Sequence, residues 1–343
     1  QTGKPESFQS IISSNSSNYN IFPSYDYYYD PFDDYNNTFE YFYIKTNDAY
    51  DAFEYNISYI ITSRETNWKI DKDKIGTYNV SDPKYLNYTG KENMIDTDDS
   101  NIQNLVSQLI LGKTSLIEKV ESIYNWITNK NNMRYAIQNN EKSASQTFID
   151  REGDCSEFSN LMVTMLRIAG IPARKVCGIA IVEVGSENQW VFPEFYKGKT
   201  FDYKIRWEYN NLILNTIPGH AWVEYYIPNY GWISCDPTFG FDSKTNFLNR
   251  ITEIHLPFTL GENFGGGIDP YLNESQTELA VVPFLYGHPN YILFQLDIKI
   301  TILDFFKYSE NYLYILVIIL AVITIIAISI YAFKLRKGNQ FKF

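Results

Sequence analysis

The stretch GDCSEFSNLMVTMLRIAGIPAR, Gly153 to Arg174, sets a cysteine directly behind Gly-Asp and at the head of a run with helical spacing. Asp154 and Glu157, three residues apart, have the pattern of a capping box. Cys155 is therefore expected at the first helical position. A thiol there feels the positive end of the helix dipole, which favours the thiolate. Backbone N–H groups at the same end suit an oxyanion, and the N–H of Cys155 is the one donor the sequence offers. Asp154 offsets part of the pull on the thiolate, so the chemistry needs a basic partner.

The chain has three histidines, His220, His255 and His288. His220 stands in PGHAWVEYYIPNYGWISCDPT, two short β-like runs around a PNYG turn. Strand parity puts His220, Trp222, Glu224 and Tyr226 on one face, and Trp232, Ser234 and Asp236 on one face of the next run. If Tyr226 pairs with Trp232, Asp236 becomes the same-face diagonal neighbour of His220. An acid beside an imidazole fixes its tautomer and stabilises the imidazolium. Cys155, His220 and Asp236 are thus the candidate catalytic residues, and their chemistry would be thiolate attack on an amide or peptide carbonyl to give an acyl-enzyme. Of the remaining candidates, Cys177 and Cys235 read as buried strand thiols, with a disulfide between them as the alternative, and His255 and His288 read as structural. No pair of Cys or His residues has metal-ligand spacing, and no cofactor is expected.

The elements that must position these residues come next. Phe158, Leu161, Met162, Met165, Leu166 and Ala169 mark one buried helical face, Gly170 ends the helix and Pro172 prevents its resumption. Upstream, DTDDSNIQNLVSQLILG predicts a helix from about Asp96 that stops at Gly112. Its acidic head lacks the Gly and terminal Glu of a calcium loop and reads as capping. SLIEKVESIYNWITNKNNMRYAI supplies another apolar stripe. RKVCGIAIVEV, GHAWVEYYIP and GWISCDPT predict strands, and the polar-aromatic stretch Gly185 to about Pro218 between the first two reads as an insertion or lid. Two alternating segments, Phe53–Ile61 and Ile292–Ile302, predict further strands outside this core, possible partners in one sheet.

The three separated motifs, in this order, resemble the transglutaminase-like superfamily, as does the helical KVESIYNWITNKNNMRYA before them. The resemblance runs from about Tyr85 to Asp242. It implies an α+β fold with a papain-like, transglutaminase-like core, with Cys155 as nucleophile, His220 as general base and acid, and Asp236 as the orienting acid. The long Gly185–Pro218 stretch departs from the family pattern, which leaves the substrate class open. Water as acceptor would make a protease or amidase and a lysine amine a cross-linker. Hydrolysis is favoured slightly, since clear features of the large multidomain cross-linking enzymes are lacking. A non-catalytic surface scaffold or adhesion module with an idle triad is the rival reading.

Composition bounds the setting. The net charge of −11 over 343 residues gives no electrostatic footprint for nucleic acid. Tyr312–Phe333 carries no charge, and its ~33 Å of helix at ~1.5 Å per residue matches a ~30 Å hydrocarbon core. Lys334, Arg336, Lys337 and Lys342 follow it, so the positive-inside rule puts the tail in the cytoplasm and the rest outside. The Asn-x-Ser/Thr sites at Asn15, Asn36, Asn56, Asn79, Asn87 and Asn273 all precede the span. The chain begins at Gln1 without a hydrophobic leader, so a removed signal segment or a trimmed chain is expected. The expected organisation is a low-complexity N-terminal tail (1–38), an N-terminal β region (39–90) and a catalytic core (91–260). A C-terminal β region (261–308), one C-terminal transmembrane helix (309–334) and a cytoplasmic tail (335–343) complete it. The expected partners are the lipid bilayer, through Tyr312–Phe333, and a protein or peptide substrate at the cell surface or in the cell wall. Gly265–Gly267 lacks the strand–loop–helix context of a phosphate site and reads as a flexible loop.

Overall fold

The computed structural model describes residues 9–18, 25–28, 39–42, 55–138, 140–184, 190–208, 211–241, 243, 245–261 and 293–305. The expected span Tyr312–Phe333, Gly265–Gly267 and His288 lie outside them. Among the described residues no helix is long and apolar enough to cross a membrane.

Four N-terminal strands, β1 (Gln9–Asn18), β2 (Tyr25–Tyr28), β3 (Phe39–Phe42) and β4 (Tyr55–Ser63), form two antiparallel pairs, β1 with β4 and β2 with β3. The Ser- and Asn-rich stretch read as a tail thus contains a strand. The alternating β4 needs a partner for its backbone groups, and β1 supplies it although its own composition shows no period.

The short strand β5 (Thr66–Asn67) leads to α1 (Pro83–Asn87), α2 (Ser100–Leu109) and α3 (Leu116–Ile127). The acidic head of α2 does act as a cap: Asp99 accepts from the N–H groups of Asn101 and Ile102. α3 opens with a capping box between Ser115 and Glu118. Then come β6 (Arg134–Tyr135), α4 (Ala144–Asp150), β7 (Glu152–Gly153) and α5 (Cys155–Ile168). The rest is β: β8 (Ala173–Ala180), β9 (Glu183–Val184), β10 (Trp190–Val191), β11 (Thr200–Glu208), β12 (Asn211–Asn215), β13 (Gly219–Ile227), β14 (Gly231–Cys235), β15 (Arg250–Ile251), β16 (His255–Leu260) and β17 (Leu293–Thr301).

The central sheet is antiparallel in the order β14-β13-β8-β16. One face of β13, with Val223, Tyr225 and Ile227, joins Phe158, Leu161, Met162 and Met165 of α5 in the main core. Helices α2, α3 and α4 also pack on α5. Every residue from Ser156 to Arg167 is buried. The sequence suggested one buried face, but α5 is enclosed on all sides, so its polar Ser159, Asn160 and Thr164 are inside as well. Arg167 closes the far end of α5: its Nε donates to the Ala173 carbonyl at 2.9 Å and its Nη1 to the Gly90 carbonyl at 2.8 Å. Arg174 and Glu224, opposite each other on β8 and β13, pair at 2.6 Å, with the Arg174 guanidinium over the Trp232 ring at 4.0 Å. These two motif residues therefore build the sheet.

The described part of the insertion contains the strands β10, β11 and β12. β9 pairs with β10, and β11 with β12, with β17 completing a three-stranded sheet. The two alternating segments of the sequence are both strands outside the central sheet, but β4 pairs with β1 and β17 with β11, so they do not share one sheet. By its internal contacts the chain divides into two compact units, 1–193 with 203–298, and 194–202 with 299–343. In the second, Phe195 packs on Phe201 and Phe305, at ring distances of 5.9 and 5.6 Å. The Gly198 N–H there donates to the Ile302 carbonyl at 2.8 Å.

Candidate active site

Cys155 is the first residue of α5 and is half-buried. The capping box forms as its spacing suggests. Asp154 accepts from the Ser156 N–H at 3.1 Å, and Glu157 accepts from the Asp154 N–H at 2.8 Å. A Cβ on Gly153 would sit 2.2 Å from Glu157 Cβ, so the glycine before the cap is required by the cap itself. Burial, with the nearby Asp154 charge adding to it, pushes the Glu157 carboxyl up to about 7 against backbone N–H groups of Asp154 and Lys142 that favour its charge. The Cys155 side chain packs on a small cluster of Cys177 and Ala221, where β8 and β13 meet.

The β13–β14 hairpin has the expected register: Tyr226 faces Trp232, and Glu224 faces Ser234. His220, near the start of β13, and Asp236, just past β14, are both buried, and His220 Nε2 lies 2.7 Å from Asp236 Oδ2. His220 Nδ1 is buried without a hydrogen-bond partner. An ionised Asp236 accepts only, so His220 donates to it from Nε2. The structure thus places the three candidates at one end of the central sheet, His220 bonded to Asp236 and Cys155 against Ala221, the next residue after His220.

Asp236 is held from four sides. Oδ1 accepts from the N–H groups of Thr238 and Phe239 at 2.8 and 2.9 Å. Oδ2 accepts from His220 and also from His255 Nε2, at 3.0 Å. Burial alone would raise this carboxyl, but the His220 charge and the bonds from both imidazoles outweigh it and hold Asp236 well below the usual carboxylate range. His255, expected to be structural, is the buried first residue of β16 and bonds the candidate orienting acid directly. Its Nδ1 faces Thr252, with Oγ1 at 3.1 Å and the carbonyl oxygen at 3.3 Å, while Nε2 donates to Asp236. Burial lowers the His255 pKa, which favours the neutral ring. His220, Asp236 and His255 offer atoms within 4.8 Å of one another, a cluster no sequence spacing announced. Those atoms face each other as hydrogen-bond donors and acceptor.

Aromatic rings enclose the imidazole. Phe239 stacks on His220 at 4.4 Å and 21°, Trp222 lies at 6.0 Å, and Trp190 of β10 meets it edge-on at 5.7 Å. Such cover lowers the local dielectric around the His220–Asp236 bond and strengthens it. Tyr124 of α3 reaches across to donate to the Asp236 carbonyl at 3.4 Å, and a Cβ on Gly240 would strike its hydroxyl, so α3 and this glycine shape the loop after Asp236. Tyr135 is a further neighbour. It pairs with Gly153 in the parallel β6–β7 bridge, and its ring lies 6.5 Å from that of Phe158. Cys177 and Cys235 are free thiols, so the alternative of a disulfide between them does not hold. Burial pushes the Cys235 thiol up, and its sulfur lies 3.9 Å from that of Met162.

Residues 103–237 match the sequence profile of the transglutaminase-like superfamily. The chain therefore carries a transglutaminase-like domain with an α+β core. It is 27% identical over 179 residues to the uncharacterized protein YebA of Bacillus subtilis, a match covering 48% of this chain and 21% of that protein. It is 35% identical over 92 residues to a protein-glutamine gamma-glutamyltransferase of Pseudomonas aeruginosa, covering 27% of this chain and 11% of that one. The chain thus spans about a fifth or less of the length of these curated relatives. Its fold is similar to the crystal structure of a "putative cysteine protease" from Cytophaga hutchinsonii, with a TM-score of 0.50 at 18% identity over 88% of this chain and 84% of that one.

Proposed function

We propose that the protein is a membrane-anchored, extracellular cysteine acyl-transfer enzyme acting on amide or peptide carbonyls of surface proteins or cell-wall peptides. The observation that carries this reading is a buried imidazole bonded through Nε2 to an ionised acid, with Nδ1 unpartnered, and a cysteine at a helix N-terminus packed on Ala221, the next residue after His220. Nδ1 takes the thiol proton, and the Cys155 thiolate adds to the carbonyl carbon. The oxyanion is met by N–H groups at the start of α5. The tetrahedral species collapses, the imidazolium gives its proton to the departing amine, and a thioester remains on Cys155. Water then yields an acid, and an amine yields a new amide. The glutamyltransferase relative supports a glutamine carboxamide as donor. The anchor rests on the uncharged run Tyr312–Phe333 and the basic residues after it.

The test is incubation of the chain with glutamine-containing surface peptides, with and without a lysine amine, and product analysis by mass spectrometry. Deamidated, cleaved or cross-linked products that vanish with Cys155→Ala are expected. Products unaffected by that change, or none from any peptide, would leave the protein a non-catalytic surface scaffold.

A further inference from the structure

The hairpin edge at β10 has an unusual surface. Successive strand residues point to opposite faces, so a strand lying on a protein normally turns one of them inward. Trp190 and Val191 are nevertheless both exposed, by 36% and 40%, and Phe192 follows at 56%. Three consecutive apolar side chains stand partly in water. Contiguous exposed apolar surface of this kind marks a place where something binds.

Its position says what binds. Phe192 meets the Phe239 ring at 5.2 Å, and Phe239 is the ring stacked on His220. Trp190 touches both Phe239 and His220. The exposed ridge therefore runs without a break into the rings around the imidazole. A side chain seated on Phe192 and Val191 would bring its own backbone to the reacting centre.

We propose that Val191 and Phe192, backed by Phe239, form an acyl-donor subsite that selects a bulky apolar or aromatic residue adjacent to the reacting carbonyl. This deepens the cysteine acyl-transfer reading and rests on it. The subsite removes the ridge and the substrate side chain from water together, and a small polar residue at that position gains nothing there. In an apolar site a difference of a single methylene already discriminates by roughly 10–200-fold.

The experiment uses the full chain in lipid nanodiscs and two peptidyl alkylating probes that differ only in carrying Phe or Ser beside the reactive carbon. The second-order rate of Cys155 modification is read by mass spectrometry, with iodoacetamide as a probe that carries no side chain. The Phe probe should react at least ~10-fold faster than the Ser probe. Phe192→Ser, and separately Val191→Ser, should shrink that ratio toward one and leave the iodoacetamide rate unchanged. Equal rates for the two probes, or a ratio that neither substitution moves, would overturn the subsite; a ridge covered by another segment or a second copy would give this result. Failure of all three reagents to modify Cys155 would instead overturn the enzyme reading on which the subsite depends.

Discussion

Asp236 accepts two imidazole N–H groups on one oxygen and two backbone N–H groups on the other, all without solvent. Its ionised form is therefore built into the fold. Because its folded pKa lies below the unfolded value, the stabilisation is present above that value and is lost as pH falls below about 4. Asp236→Asn should lower the thermal midpoint at pH 7 and flatten the acid limb of a stability–pH curve; an unchanged acid limb would show that the carboxylate contributes little. His255 acts at one remove. It fixes Asp236, which fixes His220. His255→Gln should slow Cys155 alkylation, but less than loss of His220, since the acid keeps three of its four bonds. Its signature is a shifted pH profile of alkylation, which a merely structural change would not produce.

At the scale of elements, the start of α5 and the β13–β14 hairpin were legible because their rules are local. The capping box spans three residues, and the hairpin register follows from a period of two and a short turn. Nothing equally local announced His255, Trp190 or Tyr135. β16 reaches β8 with a register shift between Pro257 and Thr259, and Gly178 is bare there because a Cβ would fall 2.0 Å from the Leu256 carbonyl oxygen. β10 returns from the insertion, and β6 meets β7 across α4. These contacts depend on where distant strands come to rest. The all-round burial of α5 escaped the sequence for the same reason, since its polar side is covered by helices whose docking no periodicity encodes. The capping box carries its own prediction. Glu157 has a folded pKa above its unfolded value, so stability should decline as pH rises from about 4.5 to about 7 and then level off. Glu157→Gln should reduce that decline, which is at most on the order of 3 kcal/mol for such a shift. Urea midpoints across this range would check it, and a decline of unchanged depth in the variant would assign it elsewhere. Gly153→Ala should cost about 1–3 kcal/mol, because its Cβ would strike the capping side chain.

For the whole molecule, the proposed reading joins a catalytic domain to a membrane. β1 and β4 precede the domain in sequence and β17 follows it, ending eleven residues before the uncharged run begins. Protease added to intact cells should digest the region before about residue 308 and leave the Lys334–Phe343 tail protected. A tail cut from outside would reverse the orientation and put the cysteine in the cytoplasm. The claim on which all else turns is that His220 activates Cys155. It is tested most directly by the pH dependence of alkylation at each of the three cysteines, resolved by peptide mass spectrometry. Below pH 7, where an ordinary thiol with pKa ~8.5 is sluggish, Cys155 should react at least ~10-fold faster than Cys177 and Cys235, and His220→Ala should abolish the difference. A Cys155 rate that rises only with the ordinary thiol titration, identical with and without His220, would contradict it.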